Sequence, residues 1–444
     1  MADYGILSLV PTLVVLILAI SLRHTITALI AGVFVGLLLL DYQTAIPALA
    51  TTALTTLENE TVRWVILVCG LLGSLIAILA ASGAATAFGD LFGRYIKNKK
   101  QSMLATAGLG VAIFVDDYLN ALAVSSSMRQ ITERYRVSKQ MLAYIVDSTS
   151  APISLIIPIS TWAIFFSSLI EDNGLAPAGE GIYVYIQAIP YMLYAWVAIL
   201  LVFLVCMGIV PVIGPMKKAE ELAATEILEP EPPKDPAKKS KANIWSFMVP
   251  MAVLVFFTIW FDNDIFQGVI VALFVTVPFL LFQKVMKMEE LLGASLDGFL
   301  HMIHPLAIVF GGFMLKEVND RLGLTYFAIE NITPFMTAAT FPVLCFLLMG
   351  ALAFATSSSW GIFVVAFPIV VPIGQALGAD IPLVLGALLS ASVFGSHACF
   401  YSDATVLVAK GSGCSPFEHA ITQIPYALIG ATVSCILFAL IAVF

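Results

Sequence analysis

Charge is what this chain is short of. Only 11% of its 444 residues are Asp, Glu, Lys or Arg, whereas 60% are hydrophobic and the mean hydropathy is +0.99. Soluble domains carry about 25% charged residues, so the composition excludes an ordinary water-soluble domain and fits a polytopic membrane protein. Cysteine is sparse too. The six (Cys69, Cys206, Cys345, Cys399, Cys414, Cys435) are scattered, with no CxxC and no Cys/His ligand spacing, which supports neither a disulfide framework nor a zinc site. No GxxxxGK[ST] loop occurs, so nothing local supports ATP-driven pumping. Met1-Ala-Asp-Tyr4 lacks a basic n-region and a small-residue cleavage site, and Ile6 to Leu22 is expected to be a retained first span. The net charge of −8 decides little, because topology follows the placement of Lys and Arg. No cofactor and no nucleic-acid partner are expected; the lipid bilayer is.

A helical span needs roughly 20 apolar residues. Segments 6–22, 24–40, 62–82, 186–213, 244–261, 265–283, 299–315 and 421–444 qualify, and 102–128, 140–170, 334–376 and 383–410 are apolar but interrupted by polar or Pro/Gly positions. One stretch, 214–243, is charged and proline-rich and reads as a flexible, solvated linker. Basic residues cluster at Arg94/Lys97/Lys99/Lys100, at Arg129/Arg134/Arg136/Lys139, in that linker and at Lys284/Lys287, all expected on the cytoplasmic side. The acidic segments 41–61, 171–185 and Asp262-Asn-Asp264 are expected outside.

If 102–128 crossed the membrane, the basic loop at 129–139 would face outward. A re-entrant hairpin that enters and returns removes the conflict, and such a hairpin is tolerated only within protein or beside a cavity. Its tip would carry Asp116 and Asp117. With 334–376 as a second hairpin, 1–213 and 244–444 share one plan of three spans, hairpin and two spans, joined by the cytoplasmic linker 214–243. Five spans is an odd number, so the halves are inverted. The expected fold is therefore an all-α polytopic membrane protein built as an inverted-topology repeat, an arrangement recurrent among secondary transporters. The two hairpins are of unequal length on this reading, 27 against 43 residues.

Polar residues break the apolar segments at four places. Intramembrane carboxylates cost about 2.5–3.5 kcal/mol each on insertion scales and commonly line an ion or proton path, which singles out Asp116, Asp117 and Asp147. With them come Asn120, Ser148, Thr149 and Ser150 in the first half, then Thr356, Ser357, Ser358, Ser359 and Trp360, and then His397, Ser402 and Asp403. Pro and Gly free backbone groups that hydroxyls re-satisfy or that bind an ion. Each residue also has a plainer role. Ser and Thr are ordinary interhelical packing residues, Asp403 could cap a broken helix, and His397 is either a proton carrier or a buried structural imidazole. Trp162 and Trp360 line a cavity or simply pack. His301 and His304 read as interfacial, and Lys316, Glu317, Asp320 and Arg321 as a solvated external loop. For the long segment 140–170 the break falls at Pro152 or at Pro158.

Phe114-Val-Asp-Asp-Tyr-Leu-Asn-Ala-Leu122, Leu142-Ala-Tyr-Ile-Val-Asp-Ser-Thr-Ser-Ala-Pro-Ile-Ser154 and Ile157-Pro-Ile-Ser-Thr-Trp162 closely resemble motifs of the NhaC-type sodium/proton antiporters. So do Ser358-Ser-Trp-Gly361, Tyr401-Ser-Asp-Ala-Thr405 and Thr422-Gln-Ile-Pro-Tyr-Ala-Leu428, so the resemblance covers nearly the whole chain. It implies an inverted-repeat protein with two hairpins, a homodimer of scaffold and moving transport domains, and a bacterial plasma or inner membrane location. It also implies Asp116, Asp117, Asn120, Asp147, Ser148, Thr149 and Asp403 as the ion and substrate site. Two positions depart from the family pattern: Ser357 stands where an acid often precedes Ser-Trp-Gly, and Phe394-Gly-Ser396-His397 stands for Phe-Gly-Asp.

The expectation is secondary active exchange of Na⁺ for H⁺ by alternating access, with Asp116, Asp117, Asp147 and Asp403 as Na⁺ ligands. The alternative is Na⁺- or H⁺-coupled transport of an amino acid or small organic acid, which a less acidic second half would suit. An ion channel is a third class, and one that would conduct without proton coupling. An enzyme is not expected, since no nucleophile–base pair is evident.

Overall fold

A computed structural model describes residues 4–22, 25–84, 87, 96–225, 242–261, 264–324, 327, 330–331, 336–356, 361–400 and 402–443. Every regular element among them is helical. The helices α1 (Val10–Leu22), α2 (Thr25–Leu40), α3 (Ala45–Glu58) and α4 (Glu60–Ala81) come first. Next are α5 (Lys99–Ala112), α6 (Asp117–Arg134), α7 (Lys139–Ile156), α8 (Thr161–Asp172), α9 (Gly181–Ala188), α10 (Leu193–Cys206) and α11 (Gly214–Thr225). The second half holds α12 (Ile244–Trp260), α13 (Ile265–Phe282), α14 (Met288–His301), α15 (Ile303–Leu322) and α16 (Phe341–Thr356). It continues through α17 (Gly361–Ala376), α18 (Ile381–Ala398), α19 (Asp403–Ser412) and α20 (Pro416–Val443).

The chain between the expected spans is more ordered than its composition suggests. The acidic stretch 41–61 contains α3. The expected linker opens with α11, because Met216 packs into an apolar cluster and Glu220 is held by Lys99 and the Ser138 amide. Among the described residues, five helices are long and apolar enough to cross a membrane singly, and counting each of two bent pairs as one span brings the number to seven. One bent pair, α7 and α8, turns by 43° at residues 157–160, so the break lies at Pro158 while Pro152 stays inside α7. The other, α9 with α10, turns by 52°.

Residues 99–134 do return on themselves. Tyr135 donates a hydrogen bond from its hydroxyl to the Ile96 carbonyl at 2.7 Å, so the two ends of the α5–α6 pair lie together. Helix α11 clamps both ends. Lys99 pairs with Glu220 at 2.5 Å, the Ser138 amide donates to the other Glu220 oxygen at 2.7 Å, and Arg136 donates to the Ala224 carbonyl at 3.0 Å. In the second half, a Cβ on Gly374 would lie 3.4 Å from the Phe341 ring, so the start of α16 and the end of α17 also adjoin. The two pairs span Lys99–Arg134 and Phe341–Ala376, 36 residues each, which corrects the unequal lengths read from hydropathy. Counterpart helices begin 242 residues apart (Lys99 and Phe341, Lys139 and Ile381, Thr161 and Asp403), and Ser160 and Ser402 are N-caps at matching positions.

Helices α7 and α18, one from each half, form the centre. Every residue from Met141 to Ile156 is buried, as is nearly all of α18, the pattern of helices enclosed on all sides. Outer helices instead show large apolar side chains, such as Phe274 (76% exposed) and Phe282 (88% exposed), of the kind lipid tails would cover. Helices α4 and α14 meet backbone to backbone. A Cβ on Gly73 would sit 2.6 Å from the Gly298 carbonyl oxygen, and Ser74 donates to the Ser295 carbonyl at 2.7 Å. Small residues permit such approach between membrane helices.

Two stability outcomes follow. Gly298→Leu should force α4 and α14 apart and cost about 1–3 kcal/mol, the usual range for overpacking, read as a lowered Tm of the purified protein. Asn120→Leu should cost about 2–4 kcal/mol, since the side-chain amide that donates to the Gly110 and Ile113 carbonyls (2.6 and 2.7 Å) is lost with both acceptors buried. An unchanged Tm in Asn120→Leu would mean that these bonds do not hold the hairpin.

Candidate ion-binding site

Three helix interruptions build the site. The first, residues 113–116, separates α5 from α6. Asp116 is its N-cap, with Oδ1 accepting from the Leu119 amide at 2.9 Å, and both Asp116 and Asp117 are 3% exposed at the start of α6. That position suits carboxylates, because the helix N-terminus carries partial positive charge. The second interruption, at Pro158, hydrogen-bonds to the first. The Thr161 amide donates to the Val115 carbonyl at 3.0 Å, the Thr161 hydroxyl donates to Asp116 Oδ2 at 3.1 Å, and Ser154 donates to the Phe114 carbonyl at 3.1 Å. Asn120 then ties the first interruption to α7, its amide lying 3.2 Å from the Thr149 carbonyl.

The third interruption, Cys399 to Ser402, is largely closed by its own hydroxyls. Ser402 lies 3.1 Å from the Ser396 hydroxyl and 2.8 Å from that of Thr405, and Thr405 donates to the Cys399 carbonyl at 3.1 Å. Here the plainer role of the serines is the observed one, and Ser402 rather than Asp403 caps the helix. Asp403 is the first residue of α19.

Asp147 makes the densest polar cluster. It is fully buried in α7, with the Gln423 amide donating to its Oδ2 at 2.6 Å and His419 Nε2 3.3 Å from the same oxygen. Gln423 also donates to the His397 carbonyl at 3.2 Å, and the His397 ring bridges α7 and α10. Its Nε2 lies 3.2 Å from the Asp147 carbonyl and its Nδ1 3.2 Å from the Tyr194 hydroxyl. A carbonyl only accepts, so Nε2 carries the proton and Nδ1 accepts from tyrosine. His397 is thus buried and hydrogen-bonded at both nitrogens.

Of the remaining expected residues, Ser148 is buried beside Asp147, whereas Thr149 and Ser150 turn their hydroxyls to the Ile145 and Asp147 carbonyls of their own helix at 2.8 and 3.1 Å. Thr356 ends α16, and Ser357, Ser358, Ser359 and Trp360 lie outside the described residues. Asp116 and Asp147 share no hydrogen-bond partner, and the described residues contain no group of three or more His, Cys, Asp or Glu able to hold a metal ion together. Oxygen is nonetheless available to a cation. Asn120 Oδ1, Asp147 Oδ1 and Gln423 Oε1 are buried acceptors that receive no hydrogen bond from the protein.

His419, Gln423, Tyr194 and Thr161 were not singled out from the sequence as site residues. His419 and Gln423 stand four apart, on one face of α20, and that spacing was the available signal. It was obscured because α20 begins at Pro416, ahead of the apolar run expected from 421.

The Na⁺/H⁺ antiporter family model matches residues 174–443. A Haemophilus influenzae protein of uncharacterized function is 28% identical over 468 aligned positions, covering 97% of this chain and 89% of that one. The malate-2H⁺/Na⁺-lactate antiporter of Bacillus subtilis is 30% identical over 118 residues (27% of this chain, 24% of that one). The arginine/ornithine antiporter ArcD of Halobacterium salinarum is 31% identical over 153 residues (34% and 32%). In fold, the chain is similar to the YdaH transporter of Alcanivorax borkumensis, with a TM-score of 0.68 at 12% identity over 89% of this chain and 88% of that one. It is also similar to MtrF of Neisseria gonorrhoeae, with a TM-score of 0.60 at 13% identity over 90% and 85%. Interrupted helices around buried carboxylates and a family match over more than half of the chain, residues 174–443, lead to one conclusion: this chain is a membrane transporter belonging to the Na⁺/H⁺ antiporter family.

Proposed function

We propose that the protein exchanges Na⁺ for H⁺ across the cell membrane by alternating access, with Asp147 as the carboxylate at which the two ions compete. The observation that carries this reading is the fully buried Asp147 beside His419 and Gln423. A carboxylate with no access to water is too costly to leave uncompensated. One positive charge must accompany it, either a proton within the Asp147–His419 pair or a sodium ion. Arrival of one therefore favours departure of the other, and charge balance itself becomes the exchange rule. Gln423 orients the carboxylate, and the acceptor oxygens of Asp147, Asn120 and Gln423 are candidate Na⁺ ligands. Asp116 and Asp117 at the tip of the α5–α6 pair, and Asp403 at the start of α19, are further cation ligands on this reading.

The recurrence of helices at a constant spacing supports two inverted repeats, 1–213 and 244–444, whose relative movement would open the site to each side in turn. A homodimer completes the proposal. A second reading, coupled exchange of an organic solute, is favoured by the relatives named for malate, lactate, arginine and ornithine, and by His397 and Ser396 in place of additional acids.

In liposomes loaded with a pH-sensitive dye, an imposed Na⁺ gradient should drive proton movement, and Asp147→Asn should abolish it. Gln423→Leu should keep the exchange but weaken apparent Na⁺ affinity about tenfold, as expected for a charge-assisted hydrogen bond. Silence of the wild type with Na⁺ alone, followed by Na⁺-dependent uptake of one amino or organic acid from a panel, would transfer the assignment to the second reading.

A further inference from the structure

A cavity of about 220 Å³ lies away from Asp147, between α4, α8 and the start of α13. Three carboxylates line it: Glu60 in the first turn of α4, Glu171 near the end of α8, and Asp264 at the N-cap of α13. All three belong to segments expected on the external side. Two are held in place, Glu171 by the Gly181 amide at 2.8 Å and Asp264 by the Phe266 amide at 2.9 Å. Among the described residues, no Lys, Arg or His lines the cavity. Its other walls are mainly apolar, with the Trp64 indole, Pro158 and isoleucine side chains.

A second observation points to a ligand. Ser167 lines the same cavity, is 2% exposed, and its hydroxyl makes no hydrogen bond with the protein. Buried hydroxyls are normally partnered, so this one is suited to a polar group that arrives in the cavity.

We propose that this cavity binds a small organic cation, an alkylammonium- or guanidinium-bearing solute. Its charge is compensated by Glu60, Glu171 and Asp264, its alkyl part packs on Trp64 and the isoleucines, and the Ser167 hydroxyl supplies a hydrogen bond. Size and wall chemistry select this class. At about 30 Å³ per water the space equals roughly seven waters, far more than a bare sodium ion fills. A strongly hydrated inorganic ion gains little from aliphatic walls, whereas an alkylammonium ion gains from burial of its methylene groups and from the face of an indole. Pro158 belongs to the same interruption as Thr161, the partner of Asp116, so an occupant would sit against the outer side of the α7–α8 bend.

This assignment is independent of the exchange reading, and its test separates the two. The purified full-length protein in nanodiscs is titrated with butylammonium chloride while its Tm is followed. Butanol and NaCl at the same ionic strength are the comparators. Butylammonium should raise Tm saturably, and neither comparator should. The midpoint should shift at least tenfold in E60Q/E171Q, which removes two charges while leaving a side-chain carbonyl to accept from the Gly181 amide. Binding should be lost in S167F, which fills the cavity. Glu60 is exposed, so E60Q alone serves if the other variants fail to fold. D147N should bind as the wild type does, even with ion exchange abolished. Absence of a saturable shift in the wild type, an equal shift with NaCl, or unchanged binding in E60Q would overturn the assignment.

Discussion

A helix interrupted inside a membrane exposes amides and carbonyls that no water can repair, and each costs several kcal/mol if left unpaired. The interruptions here are repaired mainly by one another and by side chains placed for the purpose. Thr161 closes the first break from the second, Asn120 spans the first break from within α6, and Ser402 with Thr405 closes the third. Much of what surrounds Asp147 follows from that requirement. The central helices α7 and α18 are enclosed on every side, the two ends of the α5–α6 pair lie together, and the polar side chains come from several elements at once.

Much of this was legible in the sequence. The basic loop at 129–139 led to the expectation of a hairpin over 102–128, because membrane crossing and the positive-inside rule could not both hold, and the helix pair α5–α6 does bring its two ends together. The Asp147 segment was legible because a charge inside a span has few structural reasons to be there. Hydropathy failed where burial is not apolar. It placed the helix boundary of α20 beyond His419, and it cut the two hairpins to unequal lengths because the charged ends of α5 and α6 do not read as membrane. Composition likewise read α11 as loop, since a helix with one narrow buried face and a charged remainder looks like a linker until its partners, Lys99 and the Ser138 amide, are known. Convergence was the other failure. Sequence reasoning gathers similar groups into one site, whereas the fold gives Asp116 hydroxyl and amide donors and gives Asp147 an imidazole and a carboxamide.

That difference between the two aspartates has a chemical consequence. Asp116 is satisfied at both oxygens by neutral donors, which is also how helix caps are held. Asp147 has one oxygen shared by Gln423 and His419 and the other without a protein donor. A group satisfied by fixed dipoles tends to stay as it is, while one that depends on a titratable neighbour has more than one neutral arrangement. The titratable groups that share one polar cluster, Asp147, His397 and His419, are therefore on α7, α18 and α20.

The constant 242-residue spacing relates Ser160 to Ser402, and both are caps, but it relates Asp147 to Leu389. In the same register Asp116 and Asp117 correspond to Ser358 and Ser359. Helix starts and a serine cap thus recur at this spacing, while the acids at 116, 117 and 147 do not. The buried acid and the imidazole that faces it come from different halves: Asp147 belongs to α7, and its partners His419 and Gln423 belong to α20. Any displacement of α7 against α20 would therefore part Asp147 from both of these partners at once.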